Sequence, residues 1–308
     1  MKESLSTILS KPRDIPGKIN YRYPELLKWV PDKQFLQFWY HWNFGKKLNL
    51  EEPVTYNEKL QWLKLYDHNP DYPEMVDKYE AKKRIASILG EEYIVPTLGV
   101  WDSFDEIDFD ALPDKFVLKT THDSGGVVIC KDKLSFDVSS AKEKINRSLR
   151  KEFYYVGREW PYSQVKPRII AESYLADEDN ADNLNDYKFF CFDGYVDNVM
   201  MVLERASGNP KYYHFNVNSW KMCRFNRLCR SLPEGFTIEK PCFIDEMVRV
   251  AQVLSKGYPH IRIDLYYVNG QIKFGEYTLY NQSGFETGFD TKTDEYLGRL
   301  IRLPEKKA

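Results

Sequence analysis

PHIRIDLYYVNGQIKFGEYTLYNQSGFE, residues 259–286, reads as two β-strands joined by an Asn269-Gly270 turn. Each run is rich in Ile, Leu, Tyr and Phe, and Asn-Gly tolerates the positive φ angles of a tight hairpin. Asp264 stands between Ile263 and Leu265 in the first strand, and Glu276 closes the second. Their geometry depends on the turn. A strict two-residue loop pairs Asp264 with Gly275 and sends the two carboxylates to opposite faces, whereas a three-residue loop with Gly270 in the left-handed region pairs Asp264 with Phe274. In that second register Arg262, Asp264, Glu276 and Thr278 share one face. Converging carboxylates repel unless a cation lies between them, and oxygen-only ligands favour Mg²⁺, with waters and phosphate oxygens completing its shell. The expectation is the three-residue register, or a bulge with the same result. Carboxylates on opposite faces would be ordinary hairpin charges.

Outward from this hairpin, bulk properties narrow the classes. The 308 residues suffice for two or three packed lobes, 43% of them are hydrophobic, and the formal net charge is −2. No large field of one sign is implied, so no nucleic-acid footprint is expected. MKESLSTILSKPRDIPG, at the amino terminus, has no uninterrupted apolar core of signal-peptide length, and no later stretch approaches the roughly 20 apolar residues of a membrane span. Cytoplasmic residence is the default expectation. Cys130, Cys191, Cys223, Cys229 and Cys242 are odd in number and form no CxxC pair, which argues against a disulfide framework and a zinc site. Cys130 and Cys191 lie in apolar runs and are expected in the core.

From Tyr21 to Leu65 the pattern is helical and aromatic, with Trp29, Phe35, Phe38, Trp39, Tyr40, Trp42, Phe44, Tyr56 and Trp62. A membrane-surface helix with Lys46 and Lys47 as lipid-facing charges would allow peripheral membrane contact. Aromatics at i, i+3, i+4 spacing favour a packed helical cap instead. Pro70 and Pro73 mark a boundary, after which Val76 to Leu89 predicts a helix ended by Gly90, with Lys78 near its start and Lys82, Lys83 and Arg84 within it. A short strand is expected around Tyr93–Val95.

KFVLKTTHDSGGVVICKDK predicts a strand over Phe116–Thr120, a glycine-containing loop and a strand over Val127–Cys130. Lys119 interrupts an apolar strand, and the loop that follows is small and polar, so backbone N–H groups can approach an anion closely. A mobile cation beside amide donors is what nucleotide phosphates need. The glycines lie between strands, so this is not a Walker motif, and a plain hairpin with a snorkelling lysine is the competing reading. A helix is expected from Ser139 to Arg150. KPRIIAESYL, 166–175, predicts a buried strand ending in Glu172, and ADEDNADNLND predicts an acidic loop between lobes. DYKFFCFDGYVDNVMMVLERAS predicts a second hairpin turning at Asp193-Gly194. Its Lys188, like Lys119, sits in an apolar strand, and two such lysines suggest a shared anion. A helix from Cys242 to Lys256 should pack Val248, Val250 and Val253 against the sheet.

Taken in order, a DK-containing helix, a strand lysine with a glycine-rich loop, a strand ending in Glu, and an R-x-D strand paired with one ending in Glu resemble the ATP-grasp superfamily. YNEKLQWLKLYD, DKYEAKKRIASILGEEYIVPTLGVW, LPDKFVLKTTHDSGG, PRIIAESYL, DYKFFCFDG and RIDLYYVNGQIKFGE resemble the TupA-like ATP-grasp family, over about Tyr56 to Gly284. That family is associated with teichuronopeptide and capsular polysaccharide biosynthesis. The resemblance implies an α+β ATP-grasp fold in which two α+β lobes grip the nucleotide: a helical extension over 1–75, a small lobe over 76–175 and a large lobe over 176–308. It implies ATP and Mg²⁺ as cofactors. Lys119 would contact the α- and β-phosphates, with Lys78 or Lys83 as a second phosphate-side lysine. Asp123, Ser124, Gly125 and Gly126 would cover the triphosphate, and Glu172, Ser173, Tyr174 and Leu175 would form the adenine hinge. Asp264 and Glu276 would hold Mg²⁺, and Arg262, with Lys188, would face the transferred phosphoryl group. Where many relatives have E-x-N, this chain has Thr278, so Asn281 or water would complete the metal shell. The implied activity is an ATP-dependent carboxylate–amine ligase acting on a carboxylate-bearing sugar or glycan and an amine. A sugar kinase, a protein labelled glycosyltransferase in the same pathway, and a catalytically silent glycan-binding protein are the alternatives.

Overall fold

The computed structural model describes residues 15–176 and 184–306. Most of the segment read as an acidic loop, and all but the end of the amino-terminal stretch read for a signal peptide, lie outside the described residues. The chain opens with helices α1 (Ile15–Arg22), α2 (Asp32–Phe44), α3 (Tyr56–Tyr66), α4 (Tyr72–Val76) and α5 (Glu80–Leu89). Strands β1 (Thr97–Trp101), β2 (Phe116–Thr120) and β3 (Val127–Cys130) follow, then α6 (Val138–Leu149), α7 (Tyr154–Gly157) and β4 (Ile169–Ser173). The second half holds β5 (Asp186–Phe192), β6 (Tyr195–Leu203), β7 (Lys211–Asn216), α8 (Arg227–Ser231), α9 (Ile244–Ser255), β8 (Ile261–Val268), β9 (Gln271–Thr278) and α10 (Thr291–Leu300).

Two antiparallel sheets result: four strands in the order β1-β4-β2-β3 and five in the order β7-β6-β5-β8-β9. The smaller sheet buries Phe116, Leu118, Ile169 and Ala171 against Ile145 of α6. The larger one buries Phe189, Ile263 and Leu265 in a core that also contains Phe35, Leu36 and Trp39 of α2 and Leu60 and Leu63 of α3. The amino-terminal helices thus share one apolar core with the larger sheet. α3 starts at a capping box: the Thr55 hydroxyl accepts from the Glu58 N–H, and the Glu58 carboxylate accepts from the Thr55 N–H.

The hairpin at 261–278 resolves the register question in an unanticipated way. Val268 pairs with Gln271, so the turn is a two-residue Asn269-Gly270 loop with φ of 49° and 79°. A bulge between Asp264 and Leu265 takes Gly275 out of the ladder and pairs Asp264 with Glu276 and Arg262 with Thr278. A Cβ on Gly275 would come within 2.9 Å of the Tyr266 ring and 3.0 Å of the Asp264 carbonyl oxygen. The bulge therefore depends on glycine there, and it puts both carboxylates on one face as the three-residue loop would have done.

Several sequence expectations are corrected. The helix predicted from Val76 to Leu89 is broken after Val76, because the Asp77 carboxylate accepts from the N–H groups of Tyr79 and Glu80 and starts α5 afresh. The strand expected at Tyr93–Val95 is a 3₁₀ turn over Glu91–Tyr93, and β1 begins only after Pro96. On α9, Met247, Val250, Ala251 and Leu254 form the buried stripe, while Val253 is exposed. The aromatic amino-terminal region divides: Phe35, Trp39, Tyr40, Tyr56 and Trp62 are core, whereas Trp29, Phe38 and Trp42 face solvent.

Candidate active site

Between the two sheets lies a cleft of 370 Å³ into which α5, β2, β4, β8 and β9 all present side chains. Its size is that of a small-molecule site. Lys119 from β2 and Glu172 from β4 come from adjacent strands of the smaller sheet, where Lys119 sits opposite Ile170. Lys119 forms an ion pair with one oxygen of Glu172, and Lys82 from α5 reaches the other at 2.6 Å. Burial by itself would raise the Glu172 pKa, but the two ammonium groups outweigh it and hold the carboxyl below its usual range. Burial also pulls the Lys82 and Lys78 pKa values down. Lys78 enters the cleft beside them, its ammonium donating to the Asp123 carbonyl oxygen.

Across the cleft, Arg262 on β8 grips Asp264 with two parallel bonds, Nε to Oδ1 at 2.7 Å and Nη2 to Oδ2 at 2.8 Å. Lys188 on β5 pairs with the same carboxylate. Burial pushes the Asp264 carboxyl up and these two cations pull it further down, to about 2. Burial pulls the Arg262 pKa down, but attraction to and hydrogen bonding with Asp264, joined by attraction to Glu276, together outweigh it and hold Arg262 above its usual range. It also reaches Glu276 at 3.2 Å and the Asn281 carboxamide oxygen at 2.7 Å. The Thr278 hydroxyl donates to Glu276 Oε1 at 3.3 Å.

This donor set fits a hard cation in its chemistry. The ligating atoms would be carboxylate and hydroxyl oxygens, and the Glu276 side chain is 48% exposed, with Oε2 bound by no described residue. Asp264 Oδ1 accepts only one bond, from Arg262 Nε, and retains acceptor capacity. Among the described residues no group of three or more His, Cys, Asp or Glu side chains is placed so that it could by itself hold a metal ion. Asn281 is less suited to a metal than expected, because its oxygen is taken by Arg262 and its amide group turns to Glu286.

The structure brings together Lys78, Lys119, Glu172, Arg262, Asp264, Glu276 and Thr278, but separates others. Lys83 lies on the outer face of α5, paired with Glu80 and over the Tyr79 ring, with its side chain 56% exposed. Lys82 takes the inward place instead. One helical position decided this, and the interruption at Asp77 that sets the phase of α5 was not readable from periodicity. Lys119 and Lys188 each pair with a carboxylate of their own sheet, Glu172 and Asp264. The Asp123 carboxylate turns into the protein, accepting from Thr120 and Ser148, so it shapes the loop from behind. A Cβ at Gly126 would collide with the Thr120 and Ser148 hydroxyls at 2.0 and 2.3 Å. Ser124 is tied through its carbonyl oxygen to the Tyr21 hydroxyl, and Gly125 has a φ of 113°. Ser173 is fixed by its N–H to the Pro96 carbonyl, and Tyr174 and Leu175 follow the end of β4 half-buried.

Two buried residues of α3 escaped the sequence reading. Lys64 is fully buried and donates to the carbonyl oxygens of Gly157 at 2.7 Å and Ser283 at 2.5 Å. Gln61 donates to the Gly284 carbonyl at 2.6 Å. Together they clamp the segment Asn281–Gly284 beside the cleft, where Gln282 and Ser283 have φ of 47° and 54°. Each such left-handed non-glycine residue costs roughly 1–2 kcal/mol, so the segment keeps this shape only while its carbonyls are held.

The sequence model described as TupA-like ATPgrasp matches residues 58–302. No curated protein matches the chain. Among solved structures, D-alanine–D-alanine ligase from Bacillus anthracis is similar at 15% identity and a TM-score of 0.40, covering 81% of this chain and 69% of its own. The corresponding ligase from Helicobacter pylori gives 14% and 0.40, over 80% and 69%. The ATP-grasp ligase PsnB, solved with a phosphomimetic variant of its minimal precursor, Mg and ADP, gives 12% and 0.41, over 79% and 65%. The match to the sequence model spans well over half of the chain, and the protein belongs to the TupA-like ATP-grasp family, with the α+β fold of that superfamily.

Proposed function

We propose that the protein is an ATP-dependent carboxylate–amine ligase, working in the cytoplasm on a uronic acid or glycan of surface polysaccharide biosynthesis. The observation that carries this reading is the convergence on one cleft of Lys78, Lys82, Lys119 and Arg262 with Glu276 and the Arg262-held Asp264. Four cations, two of which share Glu172, beside the Glu276 and Asp264 carboxylates suit a polyphosphate and its counter-ion. The choice of a glycan carboxylate rests on the family's association with teichuronopeptide and capsular polysaccharide.

In this chemistry an oxygen of the substrate carboxylate attacks the γ-phosphorus of ATP, the bond to the bridging oxygen breaks, and ADP leaves. The amine nitrogen then attacks the acyl carbon, phosphate departs with the bonding electrons, and the nitrogen gives up a proton. Lys119, Lys82 and Lys78 neutralise the phosphates from the smaller sheet's side, while Arg262 and Lys188 act from the larger one. Asp264, Glu276 and Thr278 would hold Mg²⁺, which when bound supplies positive charge to the phosphate oxygens. The loop 121–126, with glycine where side chains would collide, closes over the triphosphate and keeps water from the acyl-phosphate.

The test is ADP release by purified protein supplied with uronic-acid oligosaccharides and amines. Release that needs both substrates, and that falls about 100-fold or more in Glu276→Gln, is the expected result. Release without an amine would make the protein a kinase, and no release with any combination would favour a binding protein.

A further inference from the structure

α1 (Ile15–Arg22) lies before the residues that the family model matches, 58–302, yet one of its side chains stands in the nucleotide cleft. Tyr21 lines the same space as Lys78, Lys119 and Glu276. Two contacts with the segment 151–156 hold the helix there. The buried Asn20 donates through Nδ2 to the Val156 carbonyl at 2.8 Å, and the Lys151 ammonium lies 3.8 Å from the centre of the Tyr21 ring.

What Tyr21 touches is the glycine loop. Its hydroxyl donates to the Ser124 carbonyl oxygen, and a Cβ on Gly125 would come within 2.6 Å of that hydroxyl. Glycine at 125 therefore serves this close approach as well as its own φ of 113°. The same glycine has a permissive φ, so the Ser124–Gly125 peptide plane turns easily unless something holds it. Tyr21 supplies the hold. In a trans peptide the C=O and N–H point in opposite directions, so a hydroxyl that fixes the Ser124 carbonyl also aims the Gly125 N–H. Among the described residues nothing accepts from that N–H, and Ser124 and Gly125 are both exposed. Burial, with the Asp123 carboxylate close by, raises the Tyr21 pKa, which keeps the hydroxyl protonated and donating. A free backbone N–H beside the cleft lysines is a donor for an anion, and it binds best when its orientation is fixed before the ligand arrives, because ordering a loose loop costs free energy.

We infer that Tyr21 is a positioning residue of the nucleotide site, and that α1 is part of that site: the tyrosine hydroxyl locks the Ser124–Gly125 peptide so that the Gly125 N–H is held ready for a phosphate oxygen. The inference rests on the nucleotide reading of the cleft and extends the site to a helix that the family model does not reach. Tyr21 acts through the loop.

The experiment compares full-length parent protein with Tyr21→Phe, by calorimetry of the ATP analogue AMPPNP with Mg²⁺ and by hydrogen exchange at saturating AMPPNP. The substitution keeps the ring beneath Lys151 and removes only the donor, at a residue 41% exposed, so the fold is retained. The variant should bind AMPPNP ~5-fold more weakly, the worth of one ordinary hydrogen bond. With AMPPNP at saturation, amides of residues 122–126 should exchange faster in the variant than in the parent, while those of β4 (Ile169–Ser173) stay equally protected in both. Weakening by less than ~3-fold would overturn the inference, as would unchanged protection of the loop. Protection lost from β4 together with the loop would make Tyr21 a prop for the whole smaller lobe, and would overturn it too. Failure of AMPPNP to bind the parent would refute the nucleotide reading itself, whereas equal binding by parent and variant sinks this inference alone.

Discussion

Replacing Lys64 with Met tests whether the clamp on the 281–284 segment is as consequential as its geometry implies. Lys64 Nζ makes three contacts, to Gly157 O at 2.7 Å, Ser283 O at 2.5 Å and Ser283 Oγ at 3.3 Å, and lies 4.9 Å from the centre of the Phe285 ring. Methionine keeps the apolar stem but removes every donor. The Gly157 carbonyl loses its bond from Lys64, the Ser283 carbonyl keeps only the 3.2 Å bond from Gln61, and Glu159, whose carboxyl burial pushes up and Lys64 pulls down, loses its cation. Deleting one partner of such a buried set costs about 3–5 kcal/mol. Part is returned, because burial has already drawn the Lys64 pKa down to about 7, against a partial offset from Glu159, and the variant no longer desolvates an ammonium group. The expected loss is therefore at the low end, about 3 kcal/mol, a large fraction of the stability of most domains. Urea unfolding at neutral pH reads it directly. A loss smaller than about 1 kcal/mol, within the range of one ordinary hydrogen bond, would show that the segment holds its left-handed conformation without the clamp.

His214 and His260 are buried, and burial holds both imidazoles down at about 3. The folded pKa lies below the unfolded one, so the unfolded chain binds more protons between these values: stability is full above about pH 6.5 and falls as the pH drops toward 3. At pH 5.5 each of these two histidines should remove about 1.4 kcal/mol, and His260→Gln should recover about that much of the loss seen by chemical denaturation. His260 Nδ1 donates to the Cys191 carbonyl and Nε2 accepts from the Tyr56 hydroxyl, and glutamine's amide can do both jobs. Lys82→Ala should weaken binding of Mg²⁺-AMPPNP by ~10-fold or more, while Lys83→Ala leaves it within twofold; calorimetry giving the reverse order would place the wrong face of α5 in the cleft.

The strands were legible because their signals are local. Phe116–Thr120 and Val127–Cys130 form as the apolar runs and the intervening glycines predict, and the Asp193-Gly194 turn forms with φ of 48° and 81°. The shared face of Asp264 and Glu276 was readable from chemistry before geometry, since two such acids need a cation, but the device that achieves it was not. A bulge at Gly275 depends on how closely Tyr266 and the Asp264 carbonyl approach, and those contacts are tertiary. The exchange of Lys82 for Lys83 has a similar origin. Helical phase is fixed by where a helix starts, and Asp77 starts α5 with a side-chain bond while also pairing with Arg168 from across the chain. Gln61 and Lys64 were hidden for a different reason. Polar residues on an aromatic-rich helix read as its wet face, and only the carbonyls of 283 and 284, over two hundred residues away in sequence, make burying them favourable.

Thermal unfolding with and without Mg²⁺-AMPPNP, on the parent protein and on Lys119→Ala, tests the central claim most directly, because it asks only whether the cleft between the sheets binds a magnesium nucleotide through the lysine placed there. At about 100 times its dissociation constant, the ligand should stabilise the parent by about 2.7 kcal/mol and raise its transition by several degrees, and Lys119→Ala should lose most of that rise while unfolding normally without ligand. No magnesium-dependent rise in the parent, or an equal rise in the variant, would contradict the account.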